Sequence, residues 1–279
     1  MEIEAYYQKT VINGHMLRPI VTLTSDFGLR DPYAAEMKAV ILSINPDATI
    51  VDISHCVEKY DVRMGTYILA RATPYFAKGS VHVAVIDPGV GTERRPLLIQ
   101  ANHGYYLGPD NGVLSLAAIA DGIQHVCEIT NSKVMLPHVS DTFHGRDIFA
   151  PAAAYLTLGM KPEEFGPETS EFLVPSFATK VKSGNSLAGE ILFTDSFGSI
   201  VTNFTKENLR EMNVHDCVEI KISNRKLRLK VRRAYAESES PELFAIVGSH
   251  GFLEISKNKA SAADALKAQI GDKISLTTD

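Results

Sequence analysis

Asp87, Arg94 and His144 are residues of a 279-residue chain whose types suit the handling of a proton on a water molecule. Asp87 closes the apolar run Val81 to Ile86, and the turn Pro88-Gly89-Val90-Gly91-Thr92-Glu93 returns the chain to Arg94 and Arg95. A guanidinium beside a carboxylate keeps it ionised, and a neighbouring imidazole accepts or relays a proton near neutral pH. Such a set could orient and polarise a water. His144 stands in Thr142-Phe143-His144-Gly145-Arg146-Asp147, a loop ahead of an apolar helix, where functional polar groups collect. Taken singly, the same residues also read as a surface hairpin with one ion pair and a solvated loop histidine.

Asp26, in Thr24-Ser25-Asp26-Phe27-Gly28, directly follows a strand. It is either the acceptor of two hydrogen bonds from a ribose diol, as acidic residues at strand ends are in nucleotide sites, or a turn aspartate. The Asp-Phe-Gly string is not a kinase signal, because no Gly-rich loop or His-Arg-Asp motif accompanies it. Later, Asp195-Ser196-Phe197-Gly198-Ser199 with Thr202-Asn203, and Gly248-Ser249-His250-Gly251, form polar turns between strands. Asn258 lies one strand beyond them. Phe197 could face a flat ring and Ser249 could hold a carboxylate, although each also fits an ordinary loop. Asp52, His55, Asp87 and His144 are metal-ligating types without a ligand spacing, so neither a metal nor another cofactor is expected.

The elements that must position these groups follow from periodicity and breakers. Pro19 to Ser25, Ala48 to Ile53 and Val81 to Ile86 read as strands. The first crossover helix, Tyr33 to Ile44, is expected to start at an Asp31 N-cap with Pro32 at N1 and to stop at Asn45-Pro46. The second, capped by Asp61, runs to about Ala72. This β-α-β-α-β order predicts an α/β domain with a mainly parallel central sheet. A helix from Ile148 to Leu158, with Asp147 or an earlier group as its cap, completes it. Composition turns polar over 175–186, and short strands follow, from Gly189 to Leu276. The expected organisation is an extension over 1–18, the α/β domain over 19–174, a linker over 175–186 and a smaller β-barrel-like domain over 187–279.

Composition limits the function classes. The chain is 45% hydrophobic and 22% charged, enough apolar content for a substantial core. A net charge of −5 argues against a general nucleic-acid grip. Its most basic window, Lys221 to Arg233, alternates charge with apolar residues like a solvated strand face. The three cysteines, Cys56, Cys127 and Cys217, make neither a disulfide framework nor a zinc knuckle, and a reducing cytoplasm is the expected compartment. No stretch approaches the roughly 18 apolar residues of a membrane span. The N-terminus lacks signal-peptide character and reads as an extension, partly disordered.

Taken together, several strings resemble the S-adenosylmethionine hydroxide adenosyltransferases, relatives of the fluorinase and chlorinase enzymes. They are TSDFG, DPYAAEMK, VDISH, VIDPGVGTERR, GPDNG, TFHGRDIFAP, DSFGSIVTNF and GSHGFLEI, in that order from about Ile20 to the C-terminus. The resemblance implies attack of water on C5′ of S-adenosylmethionine, giving adenosine and methionine. It puts Asp87, Arg94 and His144 on the water and Asp26 on the ribose hydroxyls. Tyr60 would lie near the sulfonium, Phe197 near the adenine or ribose, Ser249 near the methionine carboxylate, and backbone around Asn258 at the adenine edge. Asp195, Ser199, Asn203 and His250 would complete the substrate contacts. It also implies a homotrimer whose sites lie between the N-terminal domain of one subunit and the C-terminal domain of the next. Two positions depart from the pattern: Ser199 stands where relatives often carry Asn, and His250 where the halogenating relatives have Arg. Halide-dependent cleavage, a binding module without chemistry and a metal-dependent phosphoesterase are the alternatives.

Overall fold

The structure is a computed structural model that describes residues 11–12, 15–16, 18–238 and 242–278. The partial disorder expected of the N-terminal extension falls mainly outside the described residues. The chain divides into two units, Met1–Leu173 and Val174–Asp279.

In the first unit the elements are β1 (Ile20–Ser25), α1 (Tyr33–Ile44), β2 (Thr49–Ser54), α2 (Val62–Ala72), β3 (Ser80–Val85), β4 (Pro96–Ala101), β5 (Gly104–Pro109), α3 (Ser115–Asp121), β6 (Ile123–Glu128) and α4 (Ala150–Thr157). The sheet order is β2-β1-β3-β5-β4-β6. All neighbours from β2 to β5 are parallel, and β4 runs antiparallel between β5 and β6. Every residue of β3 is buried, as expected of a parallel strand covered on both faces. Val81, Val83 and Val85 pack with Met37 and Ile41 of α1 and the alanines of α4. Ala84 and Ile86 face the opposite way, towards Leu69 of α2 and Ala117 and Ala118 of α3. The period-2 alternation of one strand thus serves two helical layers.

The start of α1 differs from expectation. Pro32, not Asp31, is the cap residue, its carbonyl accepting from Glu36 N at 2.9 Å, with no side-chain cap. Asp61 does cap α2, accepting from Met64 N at 2.9 Å. Ahead of α4, residues Gly145–Phe149 form a π-helical turn, and Asp147 lies inside it instead of capping the helix. Its buried carboxylate accepts from Ser140 N, Ser140 Oγ and Arg146 Nε. Helix α3, of seven residues, and strand β6, with the polar Gln124 and His125 in its first half, were not read from the sequence.

The second unit holds β7 (Val181–Ser183), β8 (Ser186–Thr194), β9 (Ile200–Thr205), α5 (Lys206–Glu211), β10 (Cys217–Ile222), β11 (Arg225–Arg232), β12 (Leu243–Val247), β13 (Phe252–Lys257), α6 (Ala262–Leu266) and β14 (Lys273–Thr277). The order β9-β13-β12-β11-β10-β14-β8-β7, with β8 also paired to β9, closes a seven-stranded barrel. Closure pairs the backbone edges that an open sheet would expose. The segment expected as a linker is tied to this unit: Ser176–Ala178 is a 3-10 turn, and β7 pairs with β8. In the basic window, Lys226, Arg228 and Lys230 of β11 are exposed while Leu229 between them is buried.

All three cysteines are free thiols. Cys127 is buried, its Sγ donating to Pro162 O at 3.4 Å, and burial pushes its pKa up to about 12, so it is no nucleophile near neutral pH. Among the described residues, no helix is long and apolar enough to cross a membrane.

Candidate active site

Asp26 and Asp87 both follow the C-terminal ends of strands, β1 and β3, that pair directly in parallel. The ends of neighbouring parallel strands are where open α/β sheets form their ligand crevice. A cavity of about 170 Å³ opens there, lined by Asp26, Lys59, Tyr60, Asp87 and His144 among polar residues, and by Phe27 and Phe143 among aromatic ones.

The turn after Asp87 folds back on itself through Val90 N to Asp87 O at 3.3 Å and Thr92 Oγ1 to Gly89 O at 2.7 Å. Gly91 makes that reversal with φ +77°. The reversal returns Arg94 to the carboxylate: Nε donates to Asp87 Oδ1 at 3.0 Å and Nη2 to Oδ2 at 2.5 Å. Arg94 Nη2 also meets His144 Nδ1 at 2.7 Å, so one guanidinium joins residues 50 positions apart. Asp87 and His144 line the cavity wall, whereas Arg94 is behind them and not part of it. The side chains of Arg94 and Asp87 are 9% and 5% exposed, which excludes the bland reading of a surface ion pair.

Because a guanidinium only donates, His144 Nδ1 accepts and its hydrogen resides on Nε2. Burial and then the Arg94 charge hold His144 below its ordinary pKa, against the opposing pull of Asp87, Asp147 and Asp141. The imidazole is therefore neutral at pH 7. Its loop is anchored by the Asp147 contacts and by Arg146 Nη1 donating to Glu36 of α1 at 2.9 Å.

Asp26 is buried, and its Oδ2 accepts from Tyr60 N at 2.9 Å. Tyr60 makes this bond with φ +65°, a left-handed conformation that costs a non-glycine residue about 1–2 kcal/mol. Lys59 Nζ donates to the Asp26 carbonyl. Lys59 is a cavity residue that sequence reasoning missed, since a solvated lysine beside a turn carries no signal.

The residues expected in the second unit do not form one cluster. Asp195 Oδ1 accepts from Phe197 N and Ser199 N, both at 2.9 Å, shaping the β8–β9 turn and leaving Phe197 82% exposed. Ser199 is buried and accepts from Ser256 Oγ at 3.0 Å. Asn258 Nδ2 donates to Ser238 O just after β13, so these groups sit at its C-terminal end. Ser249 and His250, joined Oγ to Nδ1 at 3.0 Å, precede β13 at its other end. A six-residue strand sets the two groups roughly 17–20 Å apart. Asn203, expected to touch substrate, is instead 1% exposed, with Oδ1 accepting from Glu190 N and Nδ2 donating to Phe177 O and Thr179 O. Its amide is spent holding residues 177–179 to the barrel.

Asp52 and His55 meet at 3.1 Å but stand outside the cavity that Asp87 and His144 line, and among the described residues no group of three or more His, Cys, Asp or Glu side chains is placed to hold a metal ion.

The sequence model of the SAM hydroxide adenosyltransferase N-terminal domain matches residues 21–166, and that of its C-terminal domain matches residues 189–275. The chain is 36% identical over 267 residues to a (R)-S-adenosyl-L-methionine hydrolase from Thermus thermophilus, covering 93% of this chain and all of that one. A protein of the same name from Methanocaldococcus jannaschii is also 36% identical, over 92% and 95% of the two chains. A fluorinase from Nocardia brasiliensis is more distant, at 25% identity over 96% and 99%. A solved structure of a conserved protein from Thermotoga maritima superposes with TM-score 0.81 at 35% identity, over 93% of this chain and all of that one. Both domain models match, in order, across the two units that carry the cavity and the polar turns, and the chain belongs to the SAM hydroxide adenosyltransferase family.

Proposed function

We propose that the protein hydrolyses S-adenosyl-L-methionine to adenosine and L-methionine by attack of water on C5′. The observation that carries this reading is the continuous Asp87–Arg94–His144 array, two of whose members line a cavity shared with Asp26. The leaving thioether departs from a sulfonium and needs no proton. What the site must supply is an in-line water, an acceptor for its proton and a dry surface for the cation. His144 Nε2–H donates to the water and aims its lone pair. Each Asp87 oxygen keeps a lone pair beyond its Arg94 bond, so Asp87 takes the proton as the C5′–O bond forms. The Phe27 and Phe143 rings, 5.5 Å apart, offer π faces to the sulfonium. Asp26 accepts from the ribose hydroxyls, and Tyr60 stands at the sulfonium end.

In the second unit, Phe197 and the backbone near Asn258 take the adenine, and Ser249 with His250 takes the methionine carboxylate. Their separation along β13 suits the two ends of an extended ligand. We assign these roles within a homotrimer in which they serve the cavity of a neighbouring subunit, working in the cytoplasm with no cofactor, nucleic acid or membrane partner. Light scattering should then give the mass of three 30.5 kDa chains, and a monomer at catalytic concentrations would remove this assembly.

The test is incubation with each sulfonium epimer in chloride-free, ¹⁸O-enriched water containing chelator, because the relatives' names specify the (R) form. Adenosine labelled at the 5′ oxygen is the expected product. A halogenated nucleoside formed only with halide would establish the runner-up, binding without product a sensing module, and loss of turnover in chelator a metal enzyme. Turnover should show an acid limb that lies below the ordinary histidine pKa of 6.5, since a protonated Nδ1 repels Arg94. The limb belongs to His144 if it disappears from the residual activity of His144→Asn.

A further inference from the structure

The first unit holds a second polar array that the reaction does not use, behind the strand end carrying Asp26. His55 is 3% exposed and Ser25 is 1% exposed. Ser25 Oγ meets His55 Nδ1 at 2.7 Å, and His55 Nε2 lies 3.1 Å from Asp52 Oδ1. Lys38 Nζ donates to the other Asp52 oxygen at 2.5 Å. Burial raises the Asp52 carboxyl, but the Lys38 hydrogen bond and the His55 ring beside it outweigh burial and hold the pKa below its usual value.

Ser25 Oγ and His55 Nδ1 share one hydrogen, whose side follows the imidazole tautomer. Whichever side that hydrogen is on, Ser25 Oγ keeps a lone pair, and Phe27 N donates to it at 3.3 Å. The chain of hydrogen bonds ends on the peptide that follows Asp26. Two backbone bonds bind the same loops together: Gly28 N to His55 O at 2.7 Å and Val57 N to Ser25 O at 3.4 Å.

Backbone geometry makes the array possible. In a regular strand, residues 52 and 55 point to opposite faces. The β1–β2 register steps from Leu23↔Asp52 to Thr24↔Ser54, leaving Ile53 as an extra residue. This bulge brings Asp52 and His55 to one side, as bulges next to active sites do when they re-aim a side chain. Ser25 itself is no nucleophile here, being buried and outside the cavity lining.

We infer that His55 is a positioning residue for ribose recognition: through Ser25 and the Phe27 amide it fixes the peptide that aims Asp26 at the ribose diol. The inference rests on the ribose role proposed for Asp26, and its test needs no turnover. Calorimetry would compare adenosine with 2′,3′-dideoxyadenosine on the full chain, in wild type, His55→Ala and His55→Gln, with melting curves for each. Wild type should prefer adenosine by at least about tenfold, the scale of one charged hydrogen bond. His55→Ala should lose most of that preference while still binding the dideoxy compound, and His55→Gln, whose amide can both donate and accept, should recover part of it. An equal weakening towards both nucleosides, or an unchanged preference in His55→Ala, overturns the inference. So does a wild type without preference. Failure of adenosine release from S-adenosylmethionine would instead count against the hydrolase reading alone.

Discussion

Arg94→Ala should lower kcat by about 10³-fold while wild-type KM is largely kept, because Arg94 stands behind the cavity and supports the two groups on its wall. The substitution leaves the Asp87 carboxylate, 5% exposed, without its cation. Breaking one side of a buried pair costs about 3–5 kcal/mol, so the variant should also melt at a lower temperature. Freed of Arg94, His144 loses the bond that keeps its hydrogen on Nε2, and both tautomers become accessible. Arg94→Lys separates the two effects. It restores a charge near Asp87, and with it much of the stability, but an ammonium cannot present the fork that meets two carboxylate oxygens and an imidazole. Its kcat should remain at least about tenfold below wild type. Steady-state kinetics with thermal melting checks both, and a kcat for Arg94→Ala within about threefold of wild type would sink the array as the catalytic unit.

Gly91→Ala is expected to be nearly as damaging although residue 91 has no side chain to lose. Its φ of +77° is left-handed, and a Cβ there would stand 2.2 Å from the Asp141 carbonyl oxygen. Strain and overpacking together cost about 1–3 kcal/mol. The backbone must yield either in the turn that returns Arg94 or in the loop that carries His144 three residues on. Either movement opens the Arg94–His144 contact, so kcat should fall on the order of 10²-fold. Gly79→Ala is the control: its φ is also positive, at +87°, nothing lies within 4 Å of the added carbon, and it stands at the end of β3 opposite Asp87. If both variants lose activity equally, strain alone is responsible and the Asp141 contact is not.

Much of the first unit was legible because its signals are local. An uninterrupted apolar run marks β3, an aspartate three residues before an amide caps α2, and Asn45-Pro46 stops α1. Local errors also have local causes: Asp31 and Asp147 are cap-type residues near helix starts, but Pro32 supplies only a backbone carbonyl, and Asp147 is claimed by Ser140 and Arg146. Turn-type residues misled in the second unit for the same reason. Asn203 looked like a loop amide, yet it is buried on β9 beneath residues 177–179, where every polar atom must find a partner.

By itself the sequence determined the opening β-α-β-α-β order, the carboxylates at two strand ends and the strings that carry the family, since each depends on neighbours within a few residues. Only the tertiary structure decided that Arg94 and His144 touch, that Arg94 stands behind the wall, and that Ser249 and Asn258 lie at opposite ends of β13. A bulge at Ile53 likewise brought Asp52 and His55 to one side. Such facts depend on sheet order, register and loop return, and contacts between residues 50 positions apart leave no periodic trace in the chain that makes them.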